Sequence, residues 1–456
     1  MRLGRRYDVL GRIAVLTTAV STAVAIPLGA VAHAPLQLPL LAVALIAFGV
    51  VMFCQRRTPF LTRKLVLGVS AALLLVAVVA PPTSSQDIWA HVMYGRIVSV
   101  HHASPYTHVP ADYPSDPALA RVAPPWHHTP SVYGPAFTGL SAAGMAAAGD
   151  SPLAQRLFFQ LLSALAVMLA LFLLARRGAD PGVLAFIGLN PVVIAIVGGG
   201  HNDLLVGVAI LAAVLAARDG RATSAGALLG VAALIKLPAL LPAAAVVAWL
   251  LVSLGRGSGV RAALATAAVT VTGYAVAGGT AALAPLQAVS GWRSKASLWS
   301  FPLSWFERTL FGTRVAPAPV LFIGAVLAVV AVVVVGSRLR DVDPAVAAGG
   351  AVVIYLLVAA YVLPWYAGWA LPVLALAWRS RLALLAQLQA SLLVLVYVDR
   401  PGVRSVVFHD VVGTVATHVV PLVEGAVLVA LVVVSVRRLR QVVAGGHVAA
   451  GHRALA

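Results

Sequence analysis

Long apolar stretches alternate with short polar breaks along nearly the whole chain. Runs mostly of roughly 15 to 22 residues, close to the length that crosses a bilayer core, fall at about 13–39, 38–54, 65–82, 155–175, 181–199, 203–217, 222–236, 238–255, 259–284, 316–336, 344–363, 365–378, 382–398 and 414–436. The first two are parted near His33 to Pro35. Lipid offers no partner to a backbone amide, so each run must satisfy its own bonds as a helix. The pattern predicts an all-α polytopic membrane protein, a bundle of about 11–14 transmembrane helices with a long first outer loop. Four regions follow: N-terminal transmembrane helices over 1–82, a long outer loop over 83–150, a helix bundle over 151–440, and a disordered tail over 441–456 where Gly and His recur.

Composition reinforces this pattern. Of 456 residues 61% are hydrophobic, and mean hydropathy is +0.97, far from soluble averages. Thirty-two Lys and Arg against 14 Asp and Glu give a net charge of +18, which raises the question of nucleic acid. The placement of the charge answers it. Arg2, Arg5, Arg6 and Arg12, then Arg56, Arg57, Arg63 and Lys64, then Arg218 and Arg221, Arg256 and Arg261, Arg338 and Arg340, Arg379 and Arg381, and Arg437, Arg438 and Arg440 flank alternate ends of the runs. This is the positive-inside pattern of a multi-pass plasma-membrane protein; it puts both termini in the cytoplasm and needs no nucleic acid. The start of the chain imitates a signal peptide, with basic residues, an apolar stretch and Ala32-His33-Ala34, but the stretch is too long for an ordinary signal core. An uncleaved first helix is expected. Arg176 and Arg177 would fall outside if 131–149 crossed the membrane, so that segment is expected to be interfacial or re-entrant. The single Cys54 leaves no intramolecular disulfide or cysteine cluster.

The polar chemistry gathers in the first outer loop. In SSQDIWAHVMYGR (84–96), helical spacing brings Asp87, His91 and Tyr94 to one face and Trp89, Met93 and Arg96 to the other. Ser84 three residues before Asp87 also fits a capping box, which needs no chemistry. SPYTHVPADYP (104–114) and PPWHHTPSVYGP (124–135) are too rich in proline for a continuous helix. Their Tyr106, Tyr113, Trp126 and Tyr133 either stack on sugar faces or anchor the loop at the headgroups. His127 and His128 point apart and lack a spaced carboxylate, so no metal site is assigned, although the loop's His and Asp leave a divalent metal open.

Together D87-IWAHVMY-GR96, SPY (104–106), W126-HHTPSVYGP135, GGGHND (198–203) and ALIKLP (233–238) resemble the polytopic GT-C glycosyltransferases. The nearest likeness is to the actinobacterial polyprenol-phosphate-mannose-dependent α-1,6-mannosyltransferases and other family-87 enzymes, over about residues 65–400. The resemblance implies a GT-C-like bundle, a mannose donor and a catalytic base at Asp87. The chain departs from the pattern in being shorter than many lipomannan-elongating members and in a loop unusually rich in His, which leaves the acceptor open.

The residues support the same chemistry. Hydrolysis of a glycoside ordinarily needs two carboxylates, one protonated to assist a poor leaving group. A phosphate leaving group does not; one base for the acceptor hydroxyl and cations for the departing phosphate suffice. Arg96, Arg121, Lys236, Arg293 and Lys295 lie on the outer side in this topology. Arg96, Lys236, Arg293 and Lys295 are the candidates for the donor phosphate. Lys236 either snorkels or meets an anion, because a lysine at the bilayer centre costs about 2.5–3.5 kcal/mol; Arg293 and Lys295 read equally as a solvated loop. Candidates for acceptor or sugar are His91, Tyr94, Trp126, His127, His128, Tyr133, His201, Asn202 and Asp203. The last two, after three glycines, equally suit a helix break and N-cap.

A nucleotide-sugar reading of Asp341-Val342-Asp343 fails on side and context, since Asp343-Pro344 suits an N-cap and first helical residue on the cytoplasmic face. PWYAGW (364–369) reads as an aromatic belt with a helix break, and Arg400, Arg404 and Asp410 as a polar loop or an acceptor groove. The expected function is an inverting transfer of a sugar, mannose by resemblance, from a polyprenyl phosphate to a glycan or glycolipid at the outer membrane face, with no cofactor required. The alternative is a transporter or flippase of a lipid-linked or polar substrate, which calls for paired midplane charges and inverted repeats.

Overall fold

The computed structural model describes residues 2–29, 36–82, 85–289, 292–294, 296–298, 300, 309, 342–397, 411, 413–427 and 429. Lys295, Asp341, Arg400, Arg404, Asp410, Ser84 and the tail 441–456 lie outside them. The described residues form helices and connecting turns, with no strand among them. The protein is an all-α polytopic membrane protein. Four described helices are long and apolar enough to span a bilayer: Gly4–Leu28 (within α1, Arg2–Leu28), α2 (Gln37–Arg57), α7 (Pro152–Arg176) and α13 (Arg256–Val276). A fifth span forms if α8 (Pro181–Gly188) and α9 (Pro191–Gly198), bent by 42°, are taken together.

Among the described residues the other apolar runs form shorter helices, and the run at 316–336 lies outside them. The shorter helices include α3 (Arg63–Val79), α10 (Asp203–Arg218), α11 (Ala222–Ile235), α12 (Leu240–Ser253), α14 (Pro344–Val358) and α15 (Arg381–Tyr397). The breaks are written locally. Ser151-Pro152, Asp180-Pro181, Asn190-Pro191 and Asp343-Pro344 each pair a capping side chain with a proline at the first helical position, where the missing N–H costs nothing. Asp343 Oδ1 accepts from Ala345 N at 2.8 Å, so its N-cap reading stands.

Ion pairs and carbonyl contacts close one end of the bundle. Arg177 and Arg221 both reach Asp219, at 2.7 and 2.6 Å; Arg218 reaches Asp343 at 2.6 Å, and Arg63 donates to Ala179 O at 3.1 Å. The basic flanks of separate segments therefore share one end. At the other end Arg156 of α7 donates to Ala80 O just beyond α3, at 2.9 Å. Since α7 starts there and finishes at Arg177 beside Asp219, the preceding α6 (Pro135–Ala148) need not cross. Its 14 residues span only about 21 Å at 1.5 Å each, short of a bilayer core, and it packs on α4 (Asp87–Ser99).

At the centre stands α10, apolar nearly all round and buried on nearly every side. Gly207 lets it touch the turn Pro364–Trp369: a Cβ there would lie 1.9 Å from Gly368 O. That turn is no headgroup belt. Trp365 and Trp369 are buried, and the segment is an internal wall.

Candidate functional site

Pro81-Pro82 ends the path from α3, and α4 begins at Asp87. The capping-box expectation does not describe the result. Gln86 holds the N-cap position without a side-chain bond, Ser85 Oγ accepts from Asp87 N at 3.0 Å, and the Asp87 carboxylate turns away to the loop. There Trp126 Nε1 donates to Asp87 Oδ1 at 3.0 Å. Trp126 sits on the one-turn helix α5 (Pro124–His127), whose prolines fix its entry.

Asp87 lines a cavity of about 730 Å³. Ser85, Gln86 and Ser294 add polar groups, while Trp89, Trp126, Trp292, Tyr361 and Tyr397 supply aromatic walls. Trp126 and Trp292 lie 5.3 Å apart, and Leu393, Val396 and Ala416 make an apolar flank. Among the described lining residues Asp87 is the only carboxylic acid, and none is Lys, Arg or His. Burial pushes the Asp87 carboxyl above its ordinary range, against the opposing pull of Trp126, Ser85 and Lys236. An aromatic cavity with one hydrogen-bonded carboxylate can hold a sugar ring and take a proton from a hydroxyl.

The other candidates are placed differently. His91 and Tyr94 share the helix face with Asp87 but do not line the cavity. His91 is sealed by Tyr133 and Phe137, at ring distances of 4.6 and 4.9 Å; burial lowers its pKa to about 3, so the ring is neutral. Both of its nitrogens lack a partner among the described residues. Tyr94 donates to Thr129 O at 2.8 Å, holding the loop down. His127 Nε2 meets Val122 O at 2.9 Å, and His128 is exposed. No group of three or more His, Cys, Asp or Glu side chains suited to a metal occurs among the described residues.

Two cations read as phosphate ligands are engaged internally. Arg96 Nε bonds Asp116 at 2.9 Å and Arg96 Nη1 reaches Asp150 at 2.7 Å. It is buried, away from the cavity lining, and clamps the loop to the α6–α7 connection. Lys236 neither snorkels nor stands open to an anion from outside. Its Nζ meets Asp203 Oδ1 at 2.7 Å, under the rings of Tyr366 and Trp369 at 4.5 and 5.3 Å. Trp369 Nε1 donates to the same oxygen at 2.6 Å. Nor does Asp203 cap α10: it is the first helical residue, after Asn202, which makes no cap bond. Asp203 Oδ2, both amide atoms of Asn202 and His201 Nε2 have no partner among the described residues. His201 stacks on Trp365 at 3.9 Å. Arg293 is half-buried between the lining residues Trp292 and Ser294, and Arg121 stands over Trp89 at 5.4 Å.

Backbone contacts join the two polar centres. Gly134 N donates to Ile235 O at 3.0 Å, and a Cβ on Gly134 would fall 2.2 Å from Leu234 O. Tyr133 is thereby set between His91 at 4.6 Å and Lys236 Nζ at 5.7 Å. Sequence reasoning missed Asp116, Trp292, Tyr361 and Trp369. The PWYAGW string carried a signal for Trp369, but an isolated aromatic reads the same in a belt and in a core.

Residues 14–253 match the family model described as alpha-(1->6)-mannopyranosyltransferase, N-terminal domain. The chain is also 28% identical over 172 residues to alpha-(1->6)-mannopyranosyltransferase A of Corynebacterium glutamicum, covering 36% of this chain and 34% of that protein. The chain thus spans about a third of the length of the curated relative it matches. The family match contains Asp87, the Trp126 loop, Asp203 and Lys236, while Trp292, Tyr361 and Tyr397 lie beyond it. With more than half of its residues inside that match, the chain belongs to the alpha-(1->6)-mannopyranosyltransferase N-terminal-domain family.

Proposed function

We propose that the protein is a multi-pass plasma-membrane mannosyltransferase that moves mannose from a polyprenyl phosphate to a glycan or glycolipid hydroxyl at the outer membrane face. The observation that carries this is a single buried carboxylate, Asp87, on the wall of an aromatic cavity of about 730 Å³, in a chain of a mannosyltransferase family. In this reading Asp87 takes the proton of the acceptor hydroxyl. The hydroxyl oxygen bonds to the anomeric carbon, the bond from that carbon to the phosphate oxygen breaks with its electrons, and polyprenyl phosphate departs. Attack opposite the leaving group inverts the centre.

A carboxylate acting alone suits this donor, because phosphate leaves as an anion and needs no acid. No metal or other cofactor is required. Arg96, Lys236, Arg293 and Lys295 are the candidates for the donor phosphate; Arg96 and Lys236 each already face a carboxylate, Asp116 and Asp203, which a phosphate would have to displace or share. His201, Asn202 and Asp203 serve sugar hydroxyls only through the atoms left unpartnered beside Trp365.

The test is transfer of radiolabelled mannose from polyprenyl phosphomannose to an oligomannoside, with wild-type and Asp87→Asn membranes at equal protein. Wild-type transfer with a loss of about 10²-fold or more in the variant is expected for a missing general base. Equal rates would remove Asp87 from the chemistry, and absence of wild-type transfer would remove this donor and acceptor pair.

A further inference from the structure

We propose that Trp126 is a positioning residue for the base, aiming the Asp87 carboxylate into the cavity through its indole N–H. The inference rests on the reading of Asp87 given above. Three observations support it. Trp126 is buried and its Nε1 is 3.0 Å from Asp87 Oδ1. Its ring forms part of the same cavity wall, and the ring packs on Trp292 at 5.3 Å, the residue before Arg293. One side chain therefore touches both the base and the aromatic wall that Trp292 adds to the cavity. An indole N–H only donates, so it can hold a carboxylate without competing for the acceptor's proton. A bond to the ionised form also stabilises that form.

The helical turn that carries Trp126 is itself fixed. Thr129 Oγ1 donates to Pro125 O at 2.7 Å, and Thr129 O receives the Tyr94 hydroxyl from α4. The loop is thus bolted to the helix that bears Asp87, and the indole cannot drift from its partner without breaking a second contact. The other ionisable groups facing Asp87 are Lys236 at the end of α11, Asp203 on α10, Tyr94 on its own helix, and Tyr133, Tyr361 and Tyr366 from the loops packed around it. None is altered by a change at position 126.

The test compares pH profiles of mannosyl transfer for wild type, Asp87→Asn, Trp126→Phe and Trp126→Gln, each scaled to folded protein in the membrane. Phe keeps a ring and loses the donor; Gln loses the ring but carries an N–H donor the same number of bonds from Cβ. The expected result is a fall of about 10-fold in kcat/KM for Trp126→Phe, with the acid limb moved up by about one pH unit, and a limb restored toward wild type in Trp126→Gln. If Asp87→Asn is inactive while both Trp126 variants keep the wild-type limb, or both shift alike, the positioning role is overturned and the base survives. If Asp87→Asn matches wild type, the reading of Asp87 itself has failed. Should Trp126→Phe not accumulate, Trp126→Leu replaces it as the variant without a donor: a limb shifted in Leu and restored in Gln supports the donor role, and limbs unchanged or shifted alike in both overturn it.

Discussion

Lys236 Nζ lies 2.7 Å from Asp203 Oδ1, joining the break after α11 to the first turn of α10. The pair is buried, with the carboxylate side chain fully covered and the lysine 10% exposed. Removing one partner from such a pair leaves an uncompensated charge, which costs about 3–5 kcal/mol. Lys236→Met should therefore lower the melting temperature of the detergent-solubilised protein sharply. Adding Asp203→Asn should recover part of the loss, because an amide oxygen still accepts from Trp369 while carrying no charge. A single variant as stable as wild type would show that the pair is not structural.

The elevated Asp87 carboxyl gives a sign to the pH dependence of transfer. A base works only when ionised, so the rate should rise with pH through a value above the ordinary carboxylate range of about 4. Burial, the first cause of the elevation, is opposed by the Trp126 bond. The profile of wild-type kcat/KM measures it; an acid limb at or below 4 contradicts the buried carboxylate.

Asp116 makes the complementary case. Burial pushes its carboxyl up, but the Ala118 N–H, His101 and Arg96 outweigh burial and hold it below its usual value. The stability it contributes is complete above the unfolded pKa of about 3.9 and is lost as pH falls through the lower folded value. Asp116→Asn should strip the buried Arg96 of its main counter-ion at neutral pH, and limited proteolysis should then cut the 100–130 loop well before the bundle. Unchanged cleavage would separate the clamp from loop order.

Gly134→Ala tests the seam between the Trp126 loop and Lys236. Its Cβ would meet the Leu234 carbonyl at 2.2 Å, so backbone must move, at a cost of about 1–3 kcal/mol. Both thermal stability and transfer should fall, and a variant with wild-type values for both would show that the loop tolerates displacement.

Much of this architecture is legible along the chain because its rules are local. An apolar run must become a helix in lipid, a capping residue before proline must start one, and Asp343-Pro344 behaves as that rule requires. The expectation that 131–149 is interfacial or re-entrant rests on keeping Arg177 with the other basic flanks, and Arg177 does meet Asp219. Asp87 stood out because an acid beside His and Tyr in an oily chain is rare.

Partners were another matter. Arg96 and Lys236 looked like free cations because their counter-ions lie 20 and 33 residues away, and no periodicity encodes a contact across a loop or between helices. Trp126, 39 residues from Asp87, reads in sequence as one more aromatic in a proline-rich loop. Charge, helix and membrane were determined by residue type and spacing. Which carboxylate faces the cavity and which are neutralised by cations was decided only when tertiary packing excluded water from each, because a buried charge must find its partner wherever the fold brings one.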